Sequence, residues 1–297
     1  MYLISIATDS LIIPIDFNKT VEYTMIHPMT MSQYFLENEA TLRLIAFLSA
    51  LVVFSFFEYK RPARKLTQKK SYRWGQHTLL LIINGVIIRY AVPMVAVGAS
   101  IYAFELQWGV FNIIELPLLV SVILSIVILD FLIYWQHRLF HIFDFLWAIH
   151  KVHHADLDVD VTTALRFHPL EMVISILIKL IAIVLLGVPI IAVVIFEILL
   201  NVLAMFNHSN IRLPLRLDQL LRSAIVTRNV HEIHHSTNLK DSQMNFGFNL
   251  IWWDKLFGSY KAKADNNNFT IGLDEFQNNQ DTQPILSILT LPIKKTP

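Results

Sequence analysis

The sequence predicts an all-α protein, a multi-spanning membrane helical bundle that carries a cytoplasmic histidine-rich cap. Three observations predict this class. Hydrophobic residues make up 55% of the 297 positions and charged residues only 16%, whereas soluble domains contain about 25% charged residues. The hydrophobic residues form long runs of membrane-spanning length. Most of the 12 histidines lie in the polar stretches between those runs.

The composition also excludes several functions. The formal net charge of +1 gives no overall basic field, so we expect no nucleic-acid partner. The chain contains no cysteine, which excludes disulfides, thiolate metal sites and cysteine nucleophiles. Any metal ion must therefore be held by histidine, aspartate or glutamate.

The first polar stretch sets the expected orientation of the chain. We predict an N-terminal segment over residues 1–39, a membrane domain over 40–260 and a C-terminal tail over 261–297. The apolar run 40–57 is shorter than the ~20 residues of a spanning helix, so whether it crosses the membrane stays open. Residues 58–73 contain seven basic residues against one acidic residue. The positive-inside tendency therefore predicts that this loop lies in the cytoplasm.

Two further apolar runs, 78–104 and 111–135, follow the basic loop. Arg89 and Pro93 interrupt the first run and Asp130 lies near the end of the second. Such residues in membrane segments usually face protein or a cavity. The second run returns the chain to the cytoplasmic face.

Residues 169–206 are almost entirely apolar. At ~1.5 Å per residue a single helix of this length would overshoot a ~30 Å hydrocarbon core. Gly187-Val188-Pro189 in the middle of the run predicts a helical hairpin that turns there. The hairpin returns the chain to the face it left, so both histidine-rich polar stretches are predicted on one side of the membrane.

Three histidine clusters with helical spacing stand out. Their members are His137 and His141; His150, His153 and His154; and His231, His234 and His235. Positions i, i+3 and i+4 share one helix face, so each cluster is expected to direct its imidazoles toward one point. Neutral imidazole binds iron, zinc, copper and nickel. A lone pair of this spacing is usually a surface pair, but three clusters beside membrane helices predict a metal site.

The number of imidazoles predicts two metal ions. A closed zinc site takes about four ligands and an octahedral ion at most about six, so eight imidazoles exceed the needs of one ion. The first cluster begins where the third apolar run ends. The dinuclear site is therefore expected just above the bilayer, where a lipid chain can reach it.

Four histidines lie outside the three clusters, and two of them have competing interpretations. His208 re-enters the cytoplasmic face after the hairpin, so it is a candidate ligand or an interfacial polar residue. His168 is a candidate ligand or a helix-start hydrogen-bond partner. His27 and His77 lie outside any cluster, and we expect them on the surface.

Several carboxylates and amides are candidates for holding these histidines in orientation or for binding the metal themselves. Asp130 lies seven residues before His137, two turns away on one helix face. It can orient a ligand histidine, or it can pair with Arg89 or with another helix. An orienting role or an ion pair is open for Glu171 and Glu232, and an orienting role or a ligand role is open for Glu171 and Asn207.

Together these motifs resemble the fatty acid hydroxylase/sterol desaturase superfamily, over about residues 73–260. The resemblance is carried by seven stretches: 130–141, 147–154, 166–171, 207–210, 231–235, 245–247 and 253–258. Their order looks most like the bacterial sterol desaturase-like branch and the alkylglycerol monooxygenase group.

The resemblance implies a membrane enzyme whose histidines hold two iron ions and which uses O2 to hydroxylate or desaturate a sterol, fatty acyl or alkylglycerol lipid. No catalytic residue separate from the metal ligands is implied. Electrons are expected from a separate donor, such as a cytochrome b5-like protein, a ferredoxin or a reduced pterin. The ether-cleaving group is associated with that pterin.

Two other functions fit the same residues. A metal-dependent membrane hydrolase would use metal-activated water on a lipid ester, and a membrane metal-binding protein would catalyse no reaction. Imidazoles alone do not select iron over zinc. The sequence also leaves open hydroxylation, desaturation and ether cleavage.

Overall fold

The computed structural model describes residues 31–114, 116–266 and 268–294. Within them the chain is all-α, as predicted. It consists of α-helices and short 3-10 helices, and its β-structure is limited to isolated bridges such as Pro62 with Ile211. His27 lies outside the described residues.

Five helical segments are long and apolar enough to cross a membrane. They are Gln33–Lys60, Lys70–Ile113, Leu118–Ile142, Pro169–Leu186 and Ile190–His208. Large apolar side chains on the outer surfaces of the first two segments are exposed, including Ile45, Val52 and Ile82. The chain is therefore a multi-pass integral membrane protein whose outer surface suits lipid.

The first two segments differ from their sequence-based boundaries. Helix α1 (Met31–Lys60) has 30 residues, so the short run 40–57 lies inside a helix long enough to span. The run predicted at 78–104 is two helices, α2 (Lys70–Ala91) and α3 (Ala96–Glu105). Pro93 separates them because it lacks an amide hydrogen and favours an extended residue before it.

The polypeptide turns sharply between the first two histidine clusters. A short helix α4 (Val110–Ile113) precedes α5 (Leu118–Ile142), which carries the first cluster in its last turns. Phe143 then adopts an extended conformation and α6 (Asp144–His154) begins immediately. This bend brings the second cluster back toward the first.

The predicted hairpin is confirmed. Helices α7 (Pro169–Leu186) and α8 (Ile190–His208) are joined at Gly187, whose φ of 66° lies in the left-handed region that favours glycine. A Cβ atom on Gly109 would collide with the backbone of Gly187. The turn before α4 therefore packs directly on the hairpin tip, on the membrane face opposite the histidines.

Short helices complete the chain: α9 (Leu215–Leu221), α10 (Arg228–His234), α11 (Leu239–Ser242), α12 (Trp252–Leu256), α13 (Asn279–Thr282) and α14 (Ile285–Thr290). The main apolar core lies among α3, α5, α7 and α8, where Val97, Leu129, Ile183 and Phe196 are buried. The C-terminal part packs on the histidine-bearing region, since Lys151 Nζ donates to the carbonyl of Lys294 over 3.0 Å.

A buried ion network joins α2 to the chain that follows the second cluster. Arg73 contacts Asp156 at 2.7 Å and Asp160 at 2.6 Å, and all three side chains are fully buried. His77 is buried beside them, with Nδ1 2.9 Å from Thr162 Oγ1. The prediction of a surface position for His77 is therefore wrong, because the segment after α6 folds back over α2.

Candidate metal centre

Nine buried histidines form two adjacent groups, in each of which one nitrogen of every imidazole lies within 4.8 Å of those of the others. The five-imidazole group consists of His137, His141, His150, His154 and His234. The four-imidazole group consists of His153, His208, His231 and His235. The structure thus brings together all three sequence clusters and His208.

Each HxxHH motif is divided between the two groups, which differs from the expectation that a cluster points to one place. In α6, His150 and His154 enter the five-imidazole group while His153 enters the four-imidazole group. At the end of α10 the assignment is reversed, with His231 in the four-imidazole group and His234 in the other. The division arises because i and i+4 lie only about 40° apart around a helix, whereas i+3 lies about 100° from i+4.

The protonated nitrogen can be assigned for four imidazoles. Each hydrogen-bonds through Nδ1 to a backbone carbonyl oxygen over 2.7–3.2 Å: His137 to Phe246, His234 to Met244, His153 to Arg166 and His208 to Ala204. A carbonyl oxygen only accepts, so Nδ1 must carry the proton. In the neutral ring Nε2 then presents a lone pair.

These lone pairs face one another inside both groups. His137 Nε2 lies 3.0 Å from His234 Nε2, and His153 Nε2 lies 3.0 Å from His208 Nε2. Two lone pairs at this distance repel unless a cation lies between them. The donor set of each group therefore fits a metal ion, because the carbonyl contacts fix two imidazoles of each group with Nε2 inward.

Electrostatics keep the imidazoles in the form that binds metal. Burial lowers the pKa of every clustered histidine that lies outside the spanning segments, and the neighbouring imidazoles contribute to the same shift. These residues are His150, His153, His154, His231, His234 and His235. Neutral imidazole is thus the stable form near pH 7, and it is the form that binds metal.

Glu171 contacts the five-imidazole group directly. Its Oε1 lies 2.7 Å from His150 Nδ1, and both side chains are buried. His150 Nε2 has no hydrogen-bond partner among the described residues. The carboxylate therefore holds the ring with Nε2 directed into the group.

Asp130 follows the alternative of a hydrogen bond to another helix, because Trp253 lies on α12. Its Oδ2 accepts hydrogen bonds from Trp253 Nε1 at 2.8 Å and from the Leu250 amide at 3.1 Å, rather than from an imidazole or from Arg89. These bonds anchor the loop that carries Phe246. Asp130 thus affects His137 indirectly, because it holds the loop whose Phe246 carbonyl contacts that imidazole. This is possible because the loop packs beside α5.

His168 follows the helix-start alternative. Its Nδ1 accepts from the Leu170 amide at 3.2 Å, and its Nε2 donates to the Leu289 carbonyl at 3.3 Å. Both nitrogens are therefore engaged, and His168 lies in neither imidazole group. Glu232 likewise forms ion pairs, with Arg228 and with Arg64.

The loop over residues 244–250 is the part of the site that sequence reasoning missed. It supplies two carbonyl oxygens to imidazoles, and Asn207 Nδ2 donates to a third, that of Phe248, over 2.9 Å. Asp254 accepts from the amides of Phe246 and Gly247, each at 2.8 Å. Burial raises the pKa of Asp254 to about 6. The sequence does not reveal contacts made by backbone groups, because every residue carries a backbone carbonyl. The only signal was Asp254, which belongs to one of the stretches that carried the resemblance.

A narrow cavity of about 100 Å³ lies between α5, α7 and α8 and reaches the five-imidazole group at His137 and His150. Its lining is mostly apolar and includes Ile133, Phe140, Phe167, Met172, Ile176, Leu200, Ala204 and Phe248. A hydrocarbon chain fits such a lining. The cavity therefore gives an apolar molecule access to these imidazoles.

A second opening, of about 600 Å³, meets the same group from another side. It reaches His141, and its lining is more polar than that of the first cavity, with Asp144, Lys151 and Glu275 among the charged residues. Trp147 also lines it, with its ring centroid 4.9 Å from that of His141. This opening suits water-soluble molecules.

Comparison with known proteins matches residues 122–259 to a model of the fatty acid hydroxylase family. The ornithine lipid hydroxylase OlsE of Rhizobium tropici is 28% identical over 242 residues, covering 77% of this chain and 70% of the relative. The human alkylglycerol monooxygenase is 30% identical over 137 residues, covering 46% of this chain and 29% of the relative.

The alkylglycerol monooxygenase of Xenopus tropicalis is 29% identical over 173 residues. The chain thus spans about a third of the length of these monooxygenases, with 37% of the Xenopus protein covered. No solved structure matches the chain. The matched region contains the three histidine clusters, His208 and the loop that holds them.

Proposed function

We propose that the chain is a membrane oxidoreductase that uses O2 and two iron ions to hydroxylate a lipid, because residues 122–259 match a model of the fatty acid hydroxylase family. The observation that carries this proposal is the meeting of two inward-facing imidazole groups with an apolar cavity. Relatives whose names describe lipid hydroxylation or oxygenation support the reaction class.

The nine grouped histidines are proposed as the metal ligands. Iron bound there supplies the redox chemistry that reduces O2 and oxidises a C–H bond, chemistry that redox-inert zinc lacks. The chain contributes the fixed donors: the carbonyls of Phe246 and Met244 and the carboxylate of Glu171 hold the rings. Burial keeps the rings neutral.

The lipid is proposed to enter the cavity between α5, α7 and α8. There the apolar lining would exclude water and hold one carbon of the chain beside His137 and His150. Gln136 and Ser175, which are hydrogen-bonded at 2.8 Å, are polar exceptions in this lining. They offer a hydrogen bond to a polar group of the substrate.

Hydroxylation also requires two electrons and two protons for each O2, which yield one hydroxyl group on the lipid and one water molecule. We propose that a separate donor supplies these electrons: a cytochrome b5-like protein, a ferredoxin or a reduced pterin. The polar opening at Trp147 and His141 is the side from which such a donor can approach.

We further propose that the centre faces the cytoplasm. Helices α1, α5 and α8 end, and α2 and α7 begin, at the histidine-bearing face. The basic loop belongs to this face, since the Arg212 amide donates to the Arg61 carbonyl over 2.8 Å. The positive-inside tendency therefore supports a cytoplasmic position for the basic loop and for the imidazole groups.

The test combines metal analysis with lipid mass spectrometry. The chain, its His150→Ala variant and a His168→Asn control are expressed in a bacterial host that lacks such an enzyme. Asparagine can cap a helix as His168 does, so the control keeps α7 intact. Cells receive oxygen-18 gas, ordinary air or argon, and the purified protein is analysed for iron and zinc.

We expect a hydroxylated lipid that carries one oxygen-18 atom, is absent under argon, and is lost in the His150→Ala variant alone. A lipid change that persists under argon, with zinc in the protein, would instead identify a hydrolase. Metal loss in His150→Ala with no lipid change in any strain would identify a metal-binding protein without catalysis. A lipid that gains a double bond and no hydroxyl group would show that the reaction is desaturation and not hydroxylation.

A further inference from the structure

The two imidazole groups differ in their access to the surroundings. Both the apolar cavity and the polar opening reach the five-imidazole group, through His137 and His150 on one side and His141 on the other. None of the four residues of the other group lines either opening. His137 and His141 keep 6% and 8% of their surface exposed, whereas the four-imidazole group keeps at most 1%.

One aromatic side chain separates the cavity from His153 of the four-imidazole group. The ring of Phe167 lies parallel to that of His153, with centroids 4.4 Å apart and an interplanar angle of 8°. Phe167 also lines the cavity. Its backbone is fixed, since Asn84 Nδ2 donates to the Phe167 carbonyl over 2.9 Å. The ring is therefore a fixed partition between the cavity and His153.

On the polar side, an imidazole of one group covers an imidazole of the other. His154 stacks on His235 with centroids 4.7 Å apart and an interplanar angle of 19°. The ring of Trp147, which lines the polar opening, lies 5.4 Å from His154. A molecule in that opening thus meets Trp147 and the five-imidazole group before His235.

We propose, on the basis of the proposed two-ion function, that the two ions have unequal roles. The ion in the five-imidazole group is the one that lipid and water-soluble molecules can approach. The ion in the four-imidazole group is enclosed behind Phe167. No opening reaches the four donors of the enclosed ion, whereas an ion that reacts must keep a face that other molecules can reach. Phe167 is a positioning residue that maintains this inequality.

The inference is tested by metal release, which does not depend on enzyme activity. The full-length protein is purified in detergent, its iron content is measured, and a small iron chelator that is soluble in both water and lipid, and can therefore use either opening, is added. We expect two phases of equal amplitude. His141→Ala should remove the fast phase, and His208→Ala should remove the slow phase, because each variant loses a ligand of one group.

Replacing Phe167 tests the partition. Phe167→Ala removes a packed ring, so the slow phase should become faster by about tenfold or more while the fast phase is unchanged. Phe167→Leu keeps an apolar side chain and should give an intermediate rate. The matched control is Phe145→Ala, since Phe145 lies on α6 with 69% of its surface exposed.

The possible outcomes separate the inference from the function on which it rests. A wild-type protein that holds two irons and releases both in one phase would overturn the inference alone, even if the Phe167 variants failed to fold. An unchanged slow phase in Phe167→Ala would do the same. A protein that binds at most one metal per chain would contradict both the two-ion function and the inference.

Discussion

His150 and Glu171 meet at 2.7 Å where the apolar cavity reaches the five-imidazole group. The carboxylate comes from the first turn of α7 and the imidazole from α6, so the contact joins two helices. It directs His150 Nε2 inward and increases the basicity of that nitrogen.

Removing this carboxylate should weaken metal binding. For Glu171→Gln we expect about 10- to 100-fold lower affinity for one of the two ions, the range found when an orienting partner is lost. Competition with a chelator of known affinity measures the change. Glu105→Gln is the matched control, since Glu105 ends α3 on the opposite membrane face. Equal affinity in both variants would show that Glu171 does not orient a ligand.

Filling the cavity should block the reaction without removing metal. Ala204 lines the cavity, and Ala204→Leu adds three carbon atoms there while leaving intact the carbonyl that accepts from His208. We expect hydroxylated lipid to fall by about tenfold or more, because a small displacement of the substrate carbon is enough to lose the reactive geometry.

Iron content and product are measured together for this variant. Ala91→Leu, at an exposed position at the end of α2, serves as the control and should retain both. Full product formation by Ala204→Leu would place the substrate elsewhere.

Acid should destabilise the metal-free protein. Burial lowers the pKa of His150, His153 and the other clustered histidines outside the spans, whereas an unfolded histidine titrates near ~6.5. Below that value the unfolded chain binds more protons than the folded chain, so stability is lost as the pH falls. Above a pH of ~6.5, these histidines are neutral in both states and do not make the stability depend on pH.

Thermal unfolding of the metal-free protein should therefore occur at a lower temperature near pH ~5 than near pH ~7.5. Bound metal competes with protons for the imidazoles, so the loaded protein should keep its stability to lower pH. A metal-free protein that gains stability on acidification would contradict the burial of neutral imidazoles.

The contact between the two turns on the far face predicts a stability difference between two glycines. Gly109 has a φ of 96°, and a Cβ atom there would collide with the Gly187 backbone. Gly109→Ala should therefore cost about 2–4 kcal/mol. Gly75→Ala is the control, because no atom beyond its own stretch of helix lies within 4 Å of the added Cβ, and helix propensity should stabilise this variant by ~0.5–1 kcal/mol. Chemical unfolding in detergent compares the two, and equal midpoints would refute this packing.

The sequence by itself determined the helical class, the hairpin at Gly187 and which histidines gather. Each follows from local information: composition selects the membrane, the length of an apolar run limits the number of crossings, and helical spacing selects one face. The parity of the crossings then brings both polar stretches to one side, so the position of His208 after the hairpin was enough to make it a candidate ligand.

The tertiary structure alone decided how those histidines divide. Spacing specifies the face of a helix, but not which distant segment packs against it. His137 and His234, 97 residues apart, meet because α5 and α10 pack around a loop whose carbonyl oxygens hold both rings. The same long-range packing buried His77 against Thr162, turned Asp130 toward Trp253 and enclosed one imidazole group behind Phe167.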